Sequence, residues 1–326
     1  MTEITLLQAI NLALFSEMER DERVLVLGED VGVDGGVFRA TENLLERFGP
    51  ERVVDTPLAE AMIGGVAIGM AVQGLRPVAE IQFMGFIYPT IDQMLNHASR
   101  MRNRTRGRLT CPMVLRAPFG GGIHAPEHHS ESTEALFAHM PGLRVVVPSS
   151  PGRAYGLLLA SIRDPDPVVF LEPKRIYRLG KQEVIDDGEA LPLDVCFVLR
   201  PGEDVTLVTW GAMVHESLQA ADVLAAEGIR VEVIDVATLK PLDMKTILES
   251  VKKTGRCVIV HEAARSGGWG AEIAAGLAEL GLLTLLAPVQ RVTGYDTVMP
   301  LFALEHQYMP SVARITEGLR SVLKYA

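Results

Sequence analysis

The chain has 326 residues, 48% of them hydrophobic, and a formal net charge of −10 at pH 7. That length allows roughly two domains with a large buried core. The acidic balance argues against nucleic acid as a partner, because phosphates need a basic face. No window supplies the ~18 consecutive apolar residues of a membrane span, so no membrane role is expected. The opening Met1-Thr2-Glu3-Ile4 has neither a basic flank nor a cleavage site. Cys111, Cys196 and Cys257 are isolated and odd in number, which suits buried thiols in a reducing, cytoplasmic setting better than disulfides or zinc.

Apolar runs rich in Val and Ile read as strands covered on both faces: Val24–Leu27, Val78–Ile81, Met113–Leu115, Leu143–Val147 and Val168–Leu171. Helical stretches alternate with them at Leu6–Met18, Ile87–Arg102 and Gly152–Ile162. Past Tyr177 the segment Arg178–Glu203 is charged and aperiodic, which predicts a surface linker. A second block follows, with strands at Val205–Thr209, Val231–Val236, Cys257–Val260 and Val289–Thr293. Its helices are expected at Met213–Ala226, Met244–Lys252 and Gly270–Leu280. The fold class is α/β, with two doubly wound domains split near residue 190.

Asp55-Thr56-Pro57-Leu58-Ala59-Glu60 opens a helix whose continuation through Val72 carries no charge, so a buried helix is expected. Pro57 suits its first turn, and Thr56 or Asp55 suits its cap. Glu60 then stands at the mouth of an apolar helix, where carboxyls are placed for proton transfer. The plainer alternative is a first-turn acid complementing the helix dipole. Gln82 and Phe86, just past a strand end, are placed to line the same crevice.

Gly28-Glu29-Asp30-Val31-Gly32 is too short and acidic for a dinucleotide fingerprint, and no P-loop occurs. Ala117-Pro118-Phe119-Gly120-Gly121-Gly122-Ile123-His124 and Ala125-Pro126-Glu127-His128-His129-Ser130-Glu131-Ser132 follow a strand end, where open α/β sheets place ligands. The three glycines allow close approach to a ligand. The histidine spacing matches no zinc pair. The segment reads as an active-site loop in which one or two histidines move protons near neutral pH, with a solvated turn as the alternative. His261 reads as a satisfied buried histidine.

Taken in order, Asp55–Glu60, Glu80-Ile81-Gln82-Phe83, Ala117–Gly122, His129-Ser130-Glu131-Ser132, Asp164–Lys174 and Gly294-Tyr295-Asp296-Thr297 carry a resemblance. The chain resembles, nearly end to end, the β subunit of the thiamine-diphosphate-dependent decarboxylating component of 2-oxoacid dehydrogenase complexes. The resemblance implies a transketolase-like pair of three-layer αβα domains. These are a thiamine pyrimidine-binding domain (1–180), a linker (181–203) and a transketolase C-terminal-like domain (204–326). It also implies an α2β2 assembly whose α subunit holds the diphosphate through Mg2+ with a Gly-Asp-Gly motif, which this sequence lacks.

By the same resemblance Glu60 is the acid that hydrogen-bonds N1′ of the aminopyrimidine, and Leu58, Gln82 and Phe86 line that end of the cofactor. His129 is the histidine assisting acyl transfer to lipoamide on the lipoyl domain of a dihydrolipoyl acyltransferase. Met113, Ser161, Ile162, Asp164 and Asp166 match a structural K+ site built mostly of carbonyls. Ala237 stands where relatives usually show Arg, and Leu286 where many carry Glu. Phe86 and the loop from Pro118 to Glu127 favour pyruvate as the 2-oxoacid. His261-Glu262-Ala263 and Gly294–Thr297 look more like the branched-chain type. The rival readings are the C-terminal half of a split transketolase and a silent scaffold that docks the acyltransferase.

Overall fold

A computed structural model describes residues 2–325. The chain forms two compact units: one runs to Phe119 and resumes over Leu136–Leu193, the other comprises Gly120–Ala135 and Asp194 onward.

The first unit contains β1 (Thr2–Ile4), β2 (Val24–Gly28), β3 (Val53–Asp55), β4 (Arg76–Glu80), β5 (Val114–Phe119), β6 (Arg144–Val146), β7 (Val168–Pro173) and β8 (Gln182–Val184). Six of these lie in the order β6-β7-β5-β4-β2-β3, every neighbour parallel. Every residue of β2, β5 and β7 is buried, as expected for parallel strands covered on both faces. The helix Leu6–Arg20 starts at a capping box between Thr5 and Gln8. It packs on the helix Pro151–Arg163, which Ser150 caps and Pro151 opens.

At the carboxyl ends of β4, β5 and β7 lies a buried ion cluster. Arg116 donates Nε to Glu172 Oε1 at 2.6 Å and Nη2 to Glu172 Oε2 at 2.9 Å, and it also pairs with Glu80. Tyr177 Oη donates to Glu172 Oε2 at 2.5 Å. One guanidinium thus ties together three adjacent strands just before the chain turns into Gln82 and Gly120. Burial pushes the Glu80 carboxyl up against the opposing pull of Arg116.

The second unit adds β9 (Phe197–Arg200), β10 (Val205–Thr209), β11 (Val231–Asp235), β12 (Thr238–Lys240), β13 (Cys257–Val260) and β14 (Gln290–Val292). Five form a sheet in the order β14-β13-β10-β11-β9, parallel except for the edge strand β9. The helices Met213–Ala225 and Val312–Leu323 pack together, as do Met244–Thr254 and Gly270–Gly281.

Four expectations change. The expected linker is not structureless: it contributes β8, paired antiparallel with β1, and β9. The expected helix over Ile87–Arg102 breaks at His97 into Tyr88–Asn96, a 3-10 turn and Met101–Arg104. There Gly142 comes so close that a Cβ would stand 2.1 Å from the Ser99 carbonyl oxygen. The helix at Glu60 begins at Glu60 itself, with Ala59 as an uncapped start. Asp55 is occupied elsewhere, accepting from the amides of Gly32 at 2.6 Å and Val33 at 3.1 Å. The same helix is buried only along Ile63, Gly64, Ala67, Ile68 and Ala71. Its other side exposes Ala61, Met62, Val66 and Gly69. A helix apolar all round belongs inside a larger body, and one chain covers half of it.

Candidate functional site

The first cluster lies at the carboxyl ends of β2 and β4 in the first unit. Glu60 occupies the first position of its helix, half-buried, and its carbonyl accepts from Thr90 Oγ1 at 2.7 Å. Its carboxylate takes no hydrogen bond or ion pair from the described residues. Gln82, two residues past β4, donates Nε2 to Asp30 Oδ2 at 2.7 Å and to the Glu29 carbonyl at 3.4 Å. Phe86 packs edge-on to Phe83 at 6.0 Å, and Phe83 edge-on to Phe38 at 5.6 Å, forming an aromatic row. Leu58 projects into solvent, 79% exposed.

Glu29 belongs here too, although the sequence reading passed over it. It is buried, and burial first, then the charges of Glu60 and Asp30, push its carboxyl up. The signal was the acidic turn Glu29-Asp30 directly after an apolar strand. That turn is no failed nucleotide fingerprint but the acidic wall of the same cluster. The acidic character of this end of the unit disfavours a phosphate group there. A free carboxyl, an amide and an aromatic row do fit a flat aminopyrimidine.

The positions matched to a K+ site lie around the end of the helix Pro151–Arg163 and the start of β5 and β7. Arg76 Nη1 donates to the carbonyls of Ile162 at 2.7 Å and Asp164 at 3.2 Å, and Val168 N donates to that of Met113 at 3.0 Å. The carboxylates of Asp164 and Asp166 pair with Arg144 and Arg102 at 2.9 and 2.8 Å. Ser161 turns its hydroxyl back onto the Leu157 carbonyl. Each carbonyl oxygen keeps a second lone pair for a cation. Among the described residues no group of three His, Cys, Asp or Glu side chains is set to hold a metal ion.

The second cluster belongs to the second unit. The histidine loop is closed at its base by Gly120 N donating to the Glu131 carbonyl at 3.0 Å, a compact loop of the Ω type. A 3-10 turn covers Glu127–His129, and His128 and His129 stack edge-on at 4.3 Å. His124 is exposed and His129 half-buried. Gly120 and Gly121 do not make room for a ligand; the protein itself fills that space. A Cβ on Gly120 would stand 2.1 Å from Glu262 Oε1, and one on Gly121 2.3 Å from Met299 Cε. Gly122 has φ 83°, a conformation glycine adopts without steric cost.

Beneath the loop, Glu134 is fully buried and its Oε1 accepts from Trp210 Nε1 at 3.4 Å. Burial, reinforced by the Glu262 charge, pushes Glu134 up to about 7. His261 stacks on Trp210 at 5.1 Å and is pushed down to about 4 by burial, so it is neutral at physiological pH and serves packing. Ala237 is fully buried with φ 49°, and Leu286 is exposed beside Gly255.

Comparison with known proteins matches residues 2–180 to the transketolase pyrimidine-binding domain and residues 196–315 to the transketolase C-terminal domain. The chain is 52% identical over 324 residues to the pyruvate dehydrogenase E1 component subunit beta of Acholeplasma laidlawii, covering 99% of each. It is 50% identical over 325 residues to that of Bacillus subtilis (strain 168), covering all of both. A solved split-gene transketolase, described as an inactive beta4 tetramer, aligns with a TM-score of 0.82 at 25% identity over 99% of each chain.

Proposed function

The chain belongs to the family of pyruvate dehydrogenase E1 component β subunits, and on that footing we propose that it supplies the pyrimidine-side half of a shared thiamine-diphosphate site. The observation that carries this is the uncommitted Glu60 carboxylate, whose charge acts on the buried Glu29 of the turn that Gln82 grips. When bound, thiamine diphosphate supplies the electron sink for loss of CO2 from a 2-oxoacid. Glu60 holds a proton at the pyrimidine nitrogen N1′, which a carboxyl can share and an amide cannot. Gln82, Phe86 and Leu58 line that ring. His129 delivers a proton as the acyl group passes to lipoamide, a task suited to an imidazole near neutral pH.

The diphosphate and its Mg2+ fall to an α subunit, consistent with the negative charge around Glu29, Asp30 and Glu60. The uncovered apolar side of the Glu60 helix supports an α2β2 assembly, and the acyltransferase core with its lipoyl domain is the further partner. A K+ ion at the carbonyls of Met113, Ser161, Ile162, Asp164 and Asp166 is part of the same reading. The domain limits 1–180 and 204–326 are part of the same reading. Among the described residues no helix is long and apolar enough to cross a membrane, which is compatible with the cytoplasmic setting this reading assigns.

Pyruvate is the proposed 2-oxoacid. The test co-expresses the chain with an α subunit of the same family of enzymes and measures CO2 release from pyruvate and from 3-methyl-2-oxobutanoate. Faster turnover of the branched substrate would overturn the choice of pyruvate. Release of CO2 without the α subunit would overturn the shared site.

A further inference from the structure

Glu305 is a buried acid, 3% exposed, on the short helix Phe302–Tyr308. Among the described residues no Lys or Arg pairs with it. A carboxylate removed from water without a partner is strongly destabilised, so buried carboxylates are hydrogen-bonded or paired. Glu305 meets this requirement with backbone alone: Oε1 accepts from Gly122 N at 2.7 Å and Oε2 from His124 N at 3.1 Å. His124 Nε2 stands a further 3.7 Å from Oε2.

The loop conformation makes this possible. Gly122 has φ 83° and His124 has φ 60°. Left-handed residues alternating with ordinary ones turn successive N–H groups to one side, forming a concave anion-binding nest. His124 is not glycine, and the left-handed region is sterically costly for it. Strain of that kind persists only where the surroundings over-determine it. The two charge-assisted bonds to Glu305 are the restraint, and the loop is fastened again at its base by Gly120 and Glu131.

We propose that Glu305 is a positioning residue for the histidine loop: its carboxylate, seated in the nest of Gly122 and His124 amides, holds the turn that presents His129. This rests on the acyl-transfer reading of His129. The isosteric amide cannot substitute, because one of its two ends is a donor and would face an N–H. Glu305→Gln therefore removes at least one bond while keeping size.

The test uses the enzyme assembled with its α subunit and two separate readouts. The first is backbone amide hydrogen exchange over residues 120–131. Loss of a charge-assisted bond should speed exchange at Gly122 and His124 by about 10- to 100-fold, with β10 and β13 unchanged. The second compares acylation of a lipoyl domain with reduction of an artificial oxidant, which needs decarboxylation only. Acylation should fall about ten-fold or more, since small misplacement of a reacting group is costly, while oxidant reduction stays within about two-fold. Unchanged exchange overturns the proposal, whatever happens to acylation. Fast exchange with unchanged acylation upholds the anchor and refutes the role of His129 instead. If Glu305→Gln fails to assemble, Glu305→Asp carries the same test: its carboxylate is one methylene short, so exchange at both amides should again rise.

Discussion

Replacing Glu134 with Gln should change how the stability of the second unit depends on pH. Glu134 has no solvent exposure, and its carboxyl is pushed from 4.5 to about 7, first by burial and then by the charge of Glu262. A folded value above the unfolded one means that the native state keeps a proton the unfolded chain has already lost. Stability from this group is therefore complete below about pH 4.5, falls as the pH rises towards 7, and is flat beyond. A shift of this size, at 1.36 kcal/mol per pH unit, amounts to about 3 kcal/mol across the window. Gln does not titrate. Its NH2 lacks an acceptor and costs about 1–3 kcal/mol at every pH, which offsets the curve without changing its slope. Both tryptophans, Trp210 and Trp269, lie in the second unit, so urea unfolding followed by tryptophan emission reports on that unit. The variant should gain on the parent by about 3 kcal/mol between pH 4 and pH 8. Parallel curves for parent and variant would show that Glu134 is ionised in the folded protein, and the reasoning would fail.

Glu60→Gln should leave assembly intact and slow hydrogen–deuterium exchange at the thiazolium C2 of the reconstituted enzyme by about 10²–10⁴-fold; undiminished exchange would reduce Glu60 to a helix-terminus acid. His129→Ala should lower acylation of a lipoyl domain more than reduction of an artificial oxidant, and equal losses in the two assays would place the histidine before those steps diverge. Gly120→Ala should destabilise the second unit by about 2 kcal/mol or more in urea unfolding, because its Cβ meets Glu262 and its φ is 83°. A midpoint within error of the parent would mean that the loop yields freely there.

Much of the sheet framework was legible in the sequence. The runs over Val205–Thr209 and Cys257–Val260 became strands with those limits, since uninterrupted Val and Ile between turn residues leave little alternative. The cap expected at Asp55 failed because capping ability says nothing about competing donors, and Gly32 and Val33 claim that carboxylate first. β8 was hidden for a related reason: an edge strand can be polar, so Gln182–Val184 carries no apolar signature, whereas β9 has the apolar run Phe197–Leu199 and was passed over because charged residues surround it. Glu60, Gln82 and Phe86 fall close enough along the chain to be read from strand ends. The Glu262 and Glu305 contacts to the glycine loop could not be, since they join residues more than 140 positions apart. The glycine run therefore looked like room for a ligand when Gly120 and Gly121 make room for Glu262 and Met299.

The bare side of the Glu60 helix also bears on how the chain is made in a cell. Met62 and Val66 are 37% and 40% exposed there, beside Ala61 and Gly69, so a copy synthesised without a partner presents a sticky ridge. Mass action then sets its fate. In the proposed α2β2 assembly, α chains made in step would cover the ridge as fast as it appears. With β in excess, copies cover one another or coagulate, and the surplus becomes a substrate for proteolysis. On that proposal balanced output of the two subunits is a physical requirement, and yield should track the ratio of the two messages more than the level of either.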